Sequence, residues 1–248
     1  MLDTALLALT RRVTARRLLA SPAAVAAGLA FPAFVAWIGL TESYGTAAKL
    51  FFFLLPHAFL VAAQDLAGSD IASGALENVL FAGGRFRGFL AAKSLVVAAA
   101  AVAYALVLFG LFAAWGLAVG ELRTDFAVRL GLALLAGLYY VALAGLLSHV
   151  LKGGSNVLAL LLAQAGVVLA LIFSVGSRTG LLDYAAAGRF PGAGPKFVFA
   201  GLVAVLPNVI VAGRPTVFAA EVAAGLAVLV LVRARLLAGL ELGGRRGA

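Results

Sequence analysis

Long apolar runs separated by short polar intervals divide this sequence. They cover Ala20–Leu40, Thr46–Ala63, Ser94–Val119, Leu130–Leu151 and Asn156–Gly176, and two closely spaced runs follow, Phe197–Gly213 and Pro215–Val232. Crossing a bilayer as a helix takes about 20 apolar residues, so most of these runs predict membrane spans. Upstream, Leu2, Leu6, Leu9 and Val13 recur at helical spacing, with Arg11, Arg12 and Arg16 elsewhere around the turn. That pattern predicts an amphipathic helix over residues 1–19, lying in the interface plane. Ser21-Pro22 then supplies an N-cap and a first-turn proline for the first span. The uncharged stretch from Leu18 to Thr41 is too long for a signal-peptide core of about 7–15 residues, so it is read as a retained span.

Charge decides how many runs cross. Six spans with the N-terminus inside place Arg11, Arg12, Arg16, Arg17, Arg85, Arg87, Lys93, Lys152, Arg233, Arg235, Arg245 and Arg246 on the cytoplasmic side. A seventh span would move the last four outside. The excess of Lys and Arg in cytoplasmic loops favours six, with both termini cytoplasmic. Phe197–Gly213, interrupted at Pro207, then becomes a broken outer-leaflet or re-entrant piece within an extracytoplasmic loop over 177–214. The expectation is an all-α polytopic membrane protein, one domain over 1–248, with spans at 20–40, 46–63, 94–119, 130–151, 156–176 and 215–232.

One interval stands apart. Between the second and third spans, residues 64–93 hold Asp65, Asp70, Glu77, Arg85, Arg87 and Lys93. At a bilayer centre each charge costs about 2.5–3.5 kcal/mol, so burying all six would cost on the order of 18 kcal/mol. The interval must lie in water or against protein. Leu76, Val79 and Leu80 form an apolar edge at helical spacing, Gly74 precedes them, and Gly83-Gly84 offers a C-cap. Glu77 and Asn78 take the opposite face. A short amphipathic helix tethered at both ends suits a groove on a soluble partner. A solvated, capped loop is the plainer reading of the same residues, and inward-side bases account for Arg85, Arg87 and Lys93 without any contact role.

Composition narrows the chemistry. The 248 residues are 64% hydrophobic and 12% charged, against about 25% charged in soluble domains. There is no cysteine, which excludes disulfides and thiolate metal sites, and His57 and His149 are too few for a histidine metal cage. The net charge of +9 fits anionic headgroups and orientation signals rather than nucleic acid. No G-x-x-x-x-G-K-[ST] phosphate loop occurs.

The pattern Asp-x4-Asp-x3-Gly-x2-Glu-Asn-x-Leu from Asp65 to Leu80, followed by Arg85, Arg87 and Lys93, resembles the cytoplasmic loop of ABC-2 type exporter permeases. Ala82-Gly83-Gly84-Arg85 stands where members of that family usually carry proline. Together with Leu151-Lys152-Gly153-Gly154, the loop is also similar to the haem-exporter permease of cytochrome c maturation. The resemblance implies a non-enzymatic transport subunit in a prokaryotic cytoplasmic membrane. It implies a cytoplasmic coupling helix over Asp65, Asp70, Gly74, Leu76, Glu77, Asn78, Val79, Leu80, Arg85 and Arg87. It also implies a separate ATPase partner that holds ATP and Mg, no cofactor on this chain, and a pathway formed with a second copy.

Five residues are candidates to line that pathway: His57, Tyr139, Tyr140, Gln164 and Glu221. Each has a plainer role as well. Asn156 and the first four can bridge helices by hydrogen bonds, and Glu221 can sit shallowly, paired with Arg214. Two other classes are weighed. A lipid-headgroup transferase would use Asp65 and Asp70 to hold a metal, but carboxylates five positions apart fall on different helix faces. A non-transporting membrane anchor would bind a partner without responding to nucleotide.

Overall fold

A computed structural model of the chain describes residues 22–64, 66, 86–151, 154–176, 192–195 and 215–246. The expected interfacial helix, most of the polar interval and the Phe197–Gly213 piece lie outside these residues. Among the described residues there is no strand. The long helices are α1 (Pro22–Thr41), α2 (Tyr44–Ala62), α3 (Phe86–Ala118), α4 (Phe126–Leu147), α5 (Ser155–Gly176) and α6 (Pro215–Arg246). Over their described side chains, α2, α4 and the Gly88–Ala118 part of α3 are long and apolar enough to cross a membrane, while Val25–Thr41 and Ser155–Gly166 are apolar but shorter. Large apolar side chains such as Leu29, Trp37, Leu111, Leu162 and Leu231 stand exposed around the bundle. Such a surface fits lipid and would associate in water.

Local chemistry sets the helix ends. Ser43 caps α2, its hydroxyl accepting from Thr46 N–H at 3.1 Å. Pro22 and Pro215 open α1 and α6, where a missing N–H costs nothing. Asp125 precedes α4 without capping it. Its carboxylate instead accepts from Arg129 Nε at 2.8 Å and Arg123 Nε at 3.1 Å. Gly120 (φ +74°) and Gly154 (φ +83°) turn the chain into α4 and α5 in a backbone conformation that suits glycine.

Some ends differ from the hydropathy pattern. Helix α3 starts at Phe86, so Arg87 and Lys93 ride on the helix rather than on a loop before it. Helix α6 runs through Arg233 and Arg235 to Arg246, so the basic tail is helical. Helix α4 is shifted four residues toward the N-terminus, because the Asp125–Arg129 pair carries its first turn outside the apolar run. A helix satisfies its own backbone and need not stop where the hydrocarbon stops.

Helix α2 is central. It packs on α1, α3 and α4, its α4 contact being the most extensive in the bundle. Aromatic stacking ties one end together: Tyr44 lies on Phe112 at 4.7 Å and Phe51 on Phe112 at 4.6 Å. Tyr44 also donates its hydroxyl proton to the Phe112 carbonyl at 3.1 Å, and its ring lies 6.2 Å from Phe126. Glycines let rings approach the opposing backbone. Gly39 faces Trp115, Gly116 faces Tyr44, Gly137 faces Phe59 and Gly225 faces Tyr139.

These contacts fix direction. Tyr44 meets the start of α4 and Phe59 meets Gly137 farther along, so α2 and α4 run parallel. Tyr139 meets Gly225 and Gly145 meets Arg233, so α4 and α6 also run parallel. Helix α5 starts beside the end of α4, where Asn156 Nδ2 donates to the Ala144 carbonyl at 3.1 Å. Gln64 lies against Gly154 at that same end.

Two predictions follow from packing and charge. A Cβ at Gly137 would come within 2.6 Å of the fully buried Phe59 ring, whereas a Cβ at Gly110 would meet nothing within 4 Å. Gly137→Ala should lower stability by about 1–3 kcal/mol, and Gly110→Ala should be neutral or raise it by up to about 1 kcal/mol. Thermal melts in detergent will separate them. The hydrogen bond from Arg129, and then the charges of Arg129 and Arg123, hold the Asp125 carboxyl below the usual carboxylate pKa. A depressed folded pKa contributes stability above the unfolded value, near 3.9, which is lost as pH falls through the folded value. The small stability gap between the parent chain and Asp125→Asn should therefore hold at neutral pH and close on acidification below about pH 4.

Candidate functional site

Proline at position 56 has no N–H, so the α2 helix loses one backbone bond in its second half. One residue on, His57 Nδ1 lies 3.2 Å from the Phe53 carbonyl oxygen and Nε2 lies 3.2 Å from Gln164 Oε1 of α5. Both facing atoms are acceptors, and a neutral imidazole carries one N–H. A buried imidazolium would be costly in this apolar setting. Turning the Gln164 amide end for end lets its NH₂ donate to Nε2. His57 thereby bonds its own helix and a neighbouring one.

Around this pair the bundle gathers further polar groups. The Tyr140 ring lies 5.6 Å from the His57 ring, and Tyr139 meets Tyr140 edge-on at 6.3 Å. Tyr140 is fully buried and its hydroxyl has no hydrogen-bond partner. Gln164 is buried as well. Four of the five pathway candidates, His57, Tyr139, Tyr140 and Gln164, thus converge. Glu221 does not join them. It is exposed on α6, with its neighbour Val222 turned into the core.

On its other side His57 opens to a cavity of about 520 Å³ between α1, α2 and α3. Gly28, Phe31, Leu54, Ala58, Ala101 and Tyr104 are among the residues that line it. The Tyr104 hydroxyl is already engaged, donating to the Gly28 carbonyl. The space therefore offers an apolar surface with one imidazole edge, and its size falls within the range of small-molecule pockets. Tyr104 and Gly28 gave no sequence signal, since a lone tyrosine or glycine in an apolar run is ordinary.

A second polar group sits at the end of the bundle where α2 finishes and α3 begins. Leu66, Lys93, Ser148, Asn156 and Arg233 are all buried there. Arg233 Nη1 donates to Ser94 Oγ at 2.6 Å, and Ser94 Oγ donates to the Leu90 carbonyl at 2.8 Å. Gly145 makes room for the guanidinium, for a Cβ there would meet Nη1 at 2.9 Å and Leu66 at 3.4 Å. The hydropathy pattern assigned Lys93 and Arg233 to solvated flanks, and only the packing of three helices reveals their burial. Among the described residues, no group of three or more His, Cys, Asp or Glu side chains converges to hold a metal.

Of the proposed partner-contact residues, Asp65, Asp70, Gly74, Leu76, Glu77, Asn78, Val79, Leu80 and Arg85 lie outside the described residues, and of Arg87 only the helical backbone is described. Comparison with family models, curated proteins and solved structures gave no match.

The His57–Gln164 bond yields a measurable coupling. In a double-mutant cycle with His57→Leu and Gln164→Leu, we expect an interaction energy of about 0.6–1.7 kcal/mol. Additive single effects would show that the two side chains do not support one another.

Proposed function

We propose that this chain is the transmembrane permease subunit of an ATP-driven exporter, crossing the membrane six times and worked by a separate ATPase. The observation that carries the proposal is the charged interval 64–93 with its apolar edge at Leu76, Val79 and Leu80, suspended between α2 and α3. Packing at the two ends of this interval supports its use as a handle. Leu66, near its start, lies against α4, and at its far end Leu90 beside Leu237 and the Ser94–Arg233 bond tie α3 to α6. Displacement of the interval would be transmitted to α2, and through it to α1 and α4. The cavity beside His57 is bounded by α1, α2 and α3, so the same displacement would change its shape.

In mechanism, ATP and Mg bind the partner subunit, its closure moves the interval, and α2 and α3 alter access to the pathway. Coupling of this kind requires contacts that differ between the two states. The apolar lining suits a lipophilic substrate, with His57 as its polar contact. Pairing of two copies would complete a pathway that one bundle encloses only in part. The parallel run of α4 and α6 supports six crossings, because it returns the chain after α5 to the side from which α4 starts. The basic residues Lys93, Lys152 and Arg233 support a cytoplasmic position for the opposite end.

Replacing Leu76, Val79 and Leu80 with Ser should abolish pulldown of the ATPase and its stimulation while leaving the bundle folded; unchanged assembly and stimulation would sink the proposal. The native chain lacks cysteine, which makes topology simple to read. In sealed cells, Glu121→Cys should react with an impermeant maleimide and Val150→Cys should not.

A further inference from the structure

The buried guanidinium of Arg233 is only partly used. Its side chain is 9% exposed, Nη1 is bonded to Ser94, and Nε and Nη2 are buried without any hydrogen-bond partner. Leaving donors of a charged group unpaired in such a place is expensive. His149, just past the end of α4, repeats the pattern, since both of its ring nitrogens are buried and unpartnered. Burial, and then the nearby Arg233 charge, hold the His149 ring below its usual pKa and keep it neutral, with one N–H to donate. Lys93 adds a second buried cation one residue before Ser94. The acids with described side chains, Glu42, Glu121, Asp125 and Glu221, all belong to the other end of the bundle.

We infer that Arg233, with His149 beside it, forms a binding site for a phosphate anion at the end of the bundle where α2 finishes and α3 begins. Adjacent Nε–H and Nη2–H donors form the planar fork that matches two oxygens of a phosphate. The His149 ring can donate to a third. Ser94 holds the fork in place through Nη1 and Gly145 lets it lie flat against α4. The depth suits a headgroup. At about 1.5 Å per residue, α3 rises about 36 Å between Ser94 and Ala118, more than the roughly 30 Å of hydrocarbon. Arg233 therefore lies level with lipid phosphates when Ala118 marks the opposite boundary. Basic pockets between spans at this level are suited to anionic headgroups. A free phosphate presents the same oxygens. The site is independent of whether a motor protein grips the neighbouring interval.

The test uses the full chain in detergent, titrated with phosphatidylglycerol, phosphatidylcholine or inorganic phosphate, with bound species counted by native mass spectrometry. Phosphatidylglycerol should be retained more tightly than phosphatidylcholine, and Arg233→Gln should weaken that retention about tenfold, as expected for loss of a charge-assisted pair. His149→Gln should weaken it less, and Arg233→Lys should rescue it only partly, because the fork is gone. These two variants decide the matter if Arg233→Gln does not fold. Saturable binding of inorganic phosphate that competes with the lipid and is lost in the same variants would identify free phosphate as a source as well. Equal retention of both lipids, or retention unaffected in folded Arg233 and His149 variants, together with no phosphate binding, would overturn the proposal.

Discussion

Lipid removes the solvent contrast that drives helices together in water, so close contact between backbones has to supply much of what burial supplies elsewhere. In this bundle that contact takes a recurrent form, an aromatic ring set against a glycine on the facing helix. Phe59 on Gly137, Tyr139 on Gly225, Tyr44 on Gly116 and Trp115 on Gly39 bring α2, α3, α4, α6 and α1 into register. Ring stacking of Tyr44, Phe51 and Phe112 closes one end of α2. The polar groups that remain inside are brought within reach by this register and then bond across it, as His57 does with Gln164 and Arg233 with Ser94.

Helix α2 therefore has two duties. Its first half is an aromatic anchor. Its second half, past Pro56, is where the ladder loses a bond and where His57 reaches across to α5. A helix that lacks a backbone bond at that point is easier to bend there, and the cavity between α1, α2 and α3 flanks the same segment. In the proposed transport function, the charged interval that follows α2 would pull on this second half.

At the opposite end from the aromatic anchor, α3, α4 and α6 are held by a different chemistry. A single guanidinium bonds Ser94 and lies against Gly145, and its remaining donors and the His149 ring are left without partners. A buried cation with unused donors is a place where a ligand would stabilise the fold by binding it. Helix packing and anion recognition would then share the same residue.

Much of the fold was legible from hydropathy alone. Among the described residues, the positions of the long helices follow the apolar runs, because a long apolar run is stable in lipid as a helix that satisfies its own backbone. The helix ends were less legible. Helices α3 and α6 extend beyond their apolar runs through charged residues, and α4 begins at an ion pair outside its apolar run. Composition also excluded cysteine chemistry and drew attention to the charged interval, since the cost of burying ions is a property of single residues. What the tertiary structure alone decided is which polar residues meet. His57, Tyr140 and Gln164 are far apart in the chain, as are Ser94, His149 and Arg233, and nothing in their local sequence distinguishes a lipid-edge position from a buried one. Their meeting depends on the rotation and register of each helix about its neighbours. That is set by where glycines let rings approach, a pairwise property that no single run of residues contains.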